Sequence, residues 1–257
     1  MTGTLVSAVD AFFWLANLGA FLVGLSKGGL PSIGMLAVPL LALVTSPLQA
    51  AALLLPLFVI SDGVALWLYR RDFSAANLRV LLPAGLAGVA MGWATSSVVS
   101  DRAITFLIGS MGLAFCLDTW LRRAKPAVPR PPSVAKGWFW GGLSGFTSFI
   151  SHSGAPPFQI HLLPQRLPKA QFAGTATLFF AAINAAKVLP YHQLRPYDTE
   201  RLWSAAALVP AALVGTVVGA ALTRRLADRW FYRVVQVGLF GVSVKLLVDA
   251  SGLVAWR

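Results

Sequence analysis

Charge is scarce in this chain. Only 12% of its 257 residues are Asp, Glu, Lys or Arg, against 57% that are hydrophobic, and the mean hydropathy is +0.71. A soluble domain of this length needs far more polar surface. No polar tract is long enough to form a separate soluble domain. Acidic residues are the scarcest, 9 against 21 basic ones, for a formal net charge of +12. Cysteine is almost absent: Cys116 stands alone in an apolar run, which excludes an internal disulfide and reads as a small core residue. The first ten residues carry no Lys or Arg, so a cleaved signal peptide is not expected. The sequence also lacks the spacing of a metal site: His161 and His192 have no Cys partner, so no metal and no cofactor is expected. Nucleophile-elbow, dinucleotide-binding and phosphate-loop patterns are missing as well, which argues against an enzyme.

What is present is a series of apolar runs of about 20 residues, the signature of a polytopic helical membrane protein. They fall near residues 8–25, 31–45, 47–69, 79–99 and 103–121, then 137–151, 156–165, 170–190, 201–222 and 231–250. Between the two sets lies a basic linker, residues 122–136, with Pro126, Pro129, Pro131 and Pro132. The chain therefore reads as an N-terminal membrane repeat (1–121), the linker, and a C-terminal membrane repeat (137–257).

Each half opens on an apolar run interrupted by Ser-x-x-Gly-x-Pro. Ser26, Gly29 and Pro31 match Ser151, Gly154 and Pro156. Further along, Asp62 matches Asn184 and Tyr69 matches Tyr191. Later still, Pro83, Gly88, Gly92, Asp101 and Arg102 match Pro210, Gly215, Gly219, Asp228 and Arg229. Residues 137–165 are too few for two comfortable spans, so a broken or re-entrant helical hairpin is expected at the head of each half.

The basic residues set an orientation rather than a nucleic-acid surface. Arg70, Arg71 and Arg79, the linker cations, Arg166 and Lys169, and Arg224, Arg225, Arg229 and Arg233 are assigned inside. Arg102, Arg195, Arg201 and Arg257 are assigned outside. Equivalent helical tips near Asp101 and Asp228 then face opposite sides, so the halves are inverted repeats. The linker is cytoplasmic, both termini lie outside, and the partners are the bilayer and a small anion. A homo-oligomer leaves no readable mark on so apolar a surface. Trp120, Trp138, Trp140, Trp230 and Trp256 read as interface anchors and Trp93 as a packed residue.

The broken segments carry the candidate site. Pro31 and Pro156 suit the first turn of a helix. Amides of Gly28–Ser32 and of Ser153–Phe158 would then face the interior, where a helix N-terminus suits an anion. The substrate-binding candidates are Ser26, Lys27, Gly28, Gly29, Ser32, Ser151, His152, Ser153, Gly154 and Lys187. A mid-membrane Lys27 is costly enough to need a role. It can hold an anion or pair with Asp62. Lys187 is the second candidate to hold an anion, or it can snorkel toward the surface near Pro190. Lys245 reads as a snorkelling or packing residue, and Asp118 and Asp249 as interfacial. Asp62 and His152 are the candidates for a coupling proton.

The run Gly24-Leu-Ser-Lys27-Gly-Gly-Leu-Pro31 resembles the TauE/SafE family of sulfite and organosulfonate exporters. So does Gly145-Phe-Thr-Ser-Phe-Ile-Ser-His152-Ser-Gly-Ala-Pro156, followed by Lys169 to Lys187. The likeness covers nearly the whole chain. It implies secondary transport of a small sulfur-containing anion, mostly outward, across a bacterial inner membrane. Anion preference and inverted repeats come from the residues themselves; sulfur and export come from the resemblance. The alternatives are a channel-like anion facilitator and a membrane-embedded enzyme.

Overall fold

The computed structural model describes residues 2–41, 44–45, 47–96, 101–121, 129, 131–194 and 199–252. The Ser151, Asp118 and Arg201 side chains, Arg195, Trp256, Arg257 and most of the basic linker lie outside the described residues. Every described element is helical. The first half contains α1 (Thr2–Lys27), a 3-10 turn (Ile33–Leu36) running into α2 (Ala37–Leu41), α3 (Pro47–Tyr69), α4 (Ala75–Thr95) and α5 (Asp101–Leu121). The second contains α6 (Val134–Ser151), α7 (Ala155–Leu162), α8 (Lys169–Leu194), α9 (Thr199–Arg225) and α10 (Asp228–Ser251). Four of these, Ala75–Thr95, Lys169–Gln193, Leu202–Arg225 and Asp228–Ser251, are long and apolar enough to cross a membrane.

The helices are apolar around most of their circumference, so they sort polar groups inward and leave apolar ones outside. Trp14, Trp67, Leu121 and Trp203 are exposed on the outer surface, while Lys27, Asp62, Gln159, Asn184 and Lys187 are buried. Trp93, expected to be packed, is 40% exposed: its face of α4 points outward. Cys116 is buried, as its apolar run implies. Lys245 pairs with Asp249 one helical turn away.

The first two segments of each half fold back on themselves. Gly137 near the start of α6 lies beside His161 in α7, and the Ser144 hydroxyl donates to the Gly154 carbonyl oxygen at 2.6 Å. In the first half Gly19 lies beside Ala37, and Gly34 beside Ser26. Each half therefore begins with a helix, a sharp turn, and a short returning helix.

Packing between the halves is interleaved. α1 lies on α9, α4 on α6, α3 on α8 and on α9, α8 on α4, and α5 on α10. Glycine makes the tightest crossings possible. A methyl group on Gly28 would stand 2.4 Å from the Ala220 nitrogen, and one on Gly88 would stand 2.0 Å from the Gly142 carbonyl oxygen. Such close backbone approach is the usual means of helix association where no water drives it.

Candidate functional site

Both sharp turns meet at one cavity of ≈ 40 Å³, a few times the ~10–15 Å³ that one water occupies. Its walls include Ser26, Lys27, Pro31, Gly34 and Met35 from the first turn, and Ser148, His152 and Ala155 from the second. Phe58 comes from α3, and Ala176, Thr177, Phe180, Asn184 and Lys187 from α8.

The two turns are built differently. α1 ends at Lys27 and the chain reverses through Gly29 at φ 116°, a conformation that a side chain rarely adopts. α6 ends in a left-handed cap closed by a five-to-one hydrogen bond. The His152 N–H bonds the Ser148 carbonyl oxygen at 3.2 Å and the Ser153 N–H bonds that of Thr147 at 3.2 Å. The left-handed position usually given to glycine is filled by His152, at φ 53°. A non-glycine residue there costs on the order of 1–2 kcal/mol, so the imidazole is held in place by its contacts.

The expected row of free amides is shorter than the motif suggests. The Gly28 N–H bonds the Gly24 carbonyl oxygen at 3.0 Å and the Gly29 N–H that of Ser26 at 3.3 Å. The Phe158 N–H bonds the Gly154 carbonyl oxygen, and Pro156 and Pro157 have no N–H to offer. Pro31 does not start a helix; it lies in the turn ahead of the 3-10 segment. What the turns expose is carbonyl oxygen, and hydroxyls from other helices satisfy it. Tyr69 and Thr223 donate to Gly28 at 2.6 and 2.9 Å, and Thr177 donates to Lys27 at 3.3 Å. In the second half Tyr191 donates to Phe149 at 2.8 Å. Phe149 lies in the last turn of α6 whereas Gly28 follows the end of α1, so the matched tyrosines hold the ends of matched helices at different positions.

The charges form two clusters. Lys27 is 4% exposed, and its Nζ stands 2.6 Å from Asp62 Oδ1. Asn184 Nδ2 donates to Asp62 Oδ2 at 2.8 Å, so the two residues aligned by sequence touch. Lys187 is fully buried and does not snorkel. Its Nζ lies 3.2 Å from the Ser148 carbonyl oxygen, 3.1 Å from Ser148 Oγ and 3.1 Å from His152 Nδ1. Three acceptors match the three donors of an ammonium group. Facing that ammonium, His152 Nδ1 accepts, which puts the ring proton on Nε2, 3.4 Å from the Tyr191 hydroxyl. Phe58 separates the clusters, 5.1 Å from Lys27 Nζ and stacked on His152 at 5.6 Å.

Lys187→Met keeps the bulk but takes the ammonium donor from Ser148 Oγ and His152 Nδ1. It is expected to lower stability by about 1–3 kcal/mol, read as an earlier thermal transition in detergent.

Of the sequence candidates, Ser26, Lys27, His152 and Lys187 line the cavity. Ser26 Oγ donates to the Val23 carbonyl oxygen at 2.7 Å. Gly28, Gly29, Ser32, Ser153 and Gly154 stand next to the cavity rather than in its lining. Ser32 pairs with Gln159 across the two turns, with Gln159 Nε2 donating to Ser32 Oγ at 2.7 Å. Sequence reasoning passed over Gln159, Ser148, Phe58 and Thr177. A buried amide three residues after Pro156 was the only available signal among them. Among the described residues, no group of three or more His, Cys, Asp or Glu side chains could hold a metal ion.

An apolar exterior around helices that bury lysine, aspartate and histidine defines a multi-pass helical membrane protein. A family model described as sulfite exporter TauE/SafE matches residues 16–246, and the chain belongs to that family. No curated protein and no solved structure matches the chain.

Proposed function

We propose that the protein is a secondary transporter that exports sulfite or a small organosulfonate across the bacterial inner membrane by alternating access. The observation that carries this reading is the charge of the cavity. Among the described residues two lysines, Lys27 and Lys187, are buried beside one buried carboxylate, Asp62, which pairs with Lys27 and leaves Lys187 without a counter-ion. With all three ionised, one positive charge is left over in a low-dielectric interior, and a small anion is what neutralises it. Membership of a sulfite exporter family supports sulfur and export. It also supports a transporter rather than an enzyme.

The interleaved packing supports two inverted repeats, residues 1–121 and 137–257. Exchanging the halves turns the α1–α9 contact into α6–α4 and leaves α3–α8 and α5–α10 in place. On this reading the fold-back turns are re-entrant hairpins, the linker 122–136 is cytoplasmic, and both termini are outside. Ser32, Ser151, Ser153 and the amides near Gly28, Gly29 and Gly154 join the anion site when the turns shift.

The coupling ion is a proton. Asp62 occupies the place at Lys27 that an anion would take. A proton on Asp62 releases Lys27 for the anion, and an anion at Lys27 releases Asp62 for the proton, so each favours the other. His152 is less well placed, because a second ring proton would point at the Lys187 ammonium.

Flux of sulfite in proteoliposomes tests this reading. Saturable flux that responds to a pH gradient is expected. Asp62→Asn is expected to keep anion binding and lose the response to the gradient. Flux without saturation or gradient dependence would favour a channel-like facilitator. No movement of sulfite or any organosulfonate would overturn the assignment.

A further inference from the structure

A second hollow lies where α3 and α9 end, away from the central cavity. Trp67, Leu68, Arg70, Arg71, Asp72 and Arg224 line its ≈ 220 Å³. Three arginines and one aspartate stand in its lining. Arg224, in the last turn of α9, donates from Nη2 to the Leu68 carbonyl oxygen at 3.2 Å and so caps the end of α3. The Arg70 guanidinium lies over the Trp67 ring, 5.0 Å from its centroid. Among the described residues no carboxylate is ion-paired with Arg70, Arg71 or Arg224.

Arginine presents a planar fork of donors that fits the oxygens of phosphate and sulfonate groups. The rim residue Trp67 is 65% exposed, and an exposed Trp beside Arg at a helix end belongs at headgroup level in a bilayer. Leu68 and the Trp67 ring give the pocket an apolar wall beside its cationic one. Basic pockets between helix ends at that level receive lipid headgroups.

We propose that this pocket is an oxyanion site at the membrane surface, filled by the phosphodiester of an anionic lipid. It does not depend on what the central cavity transports.

Binding of phosphatidylglycerol, phosphatidylcholine and inorganic phosphate to the purified protein in detergent, each followed by native mass spectrometry, tests it. Phosphatidylglycerol is expected to bind at least tenfold more tightly than phosphatidylcholine, and R70Q/R71Q is expected to lose that margin. Arg70 and Arg71 form no hydrogen bond to the protein among the described residues, so this variant keeps the fold; Arg224 is spared because it caps α3. Inorganic phosphate binding with the same arginine dependence would uphold the oxyanion site with a soluble occupant. Equal binding of the two lipids without arginine-dependent binding of inorganic phosphate, or no effect of R70Q/R71Q on either phosphatidylglycerol or inorganic phosphate, would overturn it.

Discussion

Lys27→Ala is expected to abolish anion flux and to weaken the folded protein by about 3–5 kcal/mol, the usual consequence of leaving one member of a buried ion pair alone. Asp62 is 4% exposed, and the neutral Asn184 amide would be its remaining hydrogen-bond donor among the described residues. A loss of flux alone would not separate a transport role from a folding role. The double variant Lys27→Met/Asp62→Leu does so. Replacing both charges by apolar groups of similar bulk removes the desolvation cost along with the attraction, so stability should return to within about 1 kcal/mol of the parent or exceed it. Flux should remain absent, because no cation is left at that wall. Flux in proteoliposomes and thermal unfolding in detergent report the two quantities independently. A stable double variant that still transports would make the pair structural only.

Gly145→Ala is expected to prevent a monodisperse folded protein. A methyl group there would stand 1.9 Å from the Gly85 carbonyl oxygen, and the obstacle is backbone, which cannot swing aside as a side chain can. α4 and α6 would have to separate along their whole contact. Overpacking costs about 1–3 kcal/mol where neighbours adapt, and more where they do not. Gly63→Ala is the matched control: nothing lies within 4 Å of the added methyl, on an exposed face of α3. That change should leave stability unaltered or raise it by about 0.4–1 kcal/mol. Size-exclusion profiles of the two variants decide the matter, and a normal profile for Gly145→Ala would contradict the tight crossing.

Much of the architecture was legible because a bilayer permits few solutions. Apolar run lengths marked the helices, and the Ser-x-x-Gly-x-Pro runs marked both fold-back turns. The alignment of Asp62 with Asn184 is a contact in three dimensions, and Tyr69 and Tyr191 bind near the ends of the matched helices α1 and α6. The details that escaped share one cause. Sequence shows where a residue lies along a helix but not which way it faces. Lys187, three residues before Pro190, could have reached toward the surface; α8 turns it inward onto Ser148. Trp93 faces outward for the same reason. The turn amides were expected to be free, because a Gly-Pro pattern signals a break without revealing that α1 continues its hydrogen bonding through Gly29. Ser148, Thr177 and Thr223 sat in apolar runs as ordinary small residues. Their role depends on carbonyl oxygens exposed by a distant part of the chain.

The interleaving of the helices also sets a timetable for biosynthesis. α4 meets its glycine-lined neighbour α6 only after residue 151 has been made, and α1 meets α9 only after residue 225. At about 5–20 residues per second, the wait for α6 is a few seconds and that for α9 on the order of ten or more. During that interval the nascent first half presents narrow, unfilled helix faces to lipid and to insertion factors. A ribosome that stalls beyond α5 leaves a membrane-embedded orphan, ready for proteolysis or for rescue by a second half supplied as a separate polypeptide.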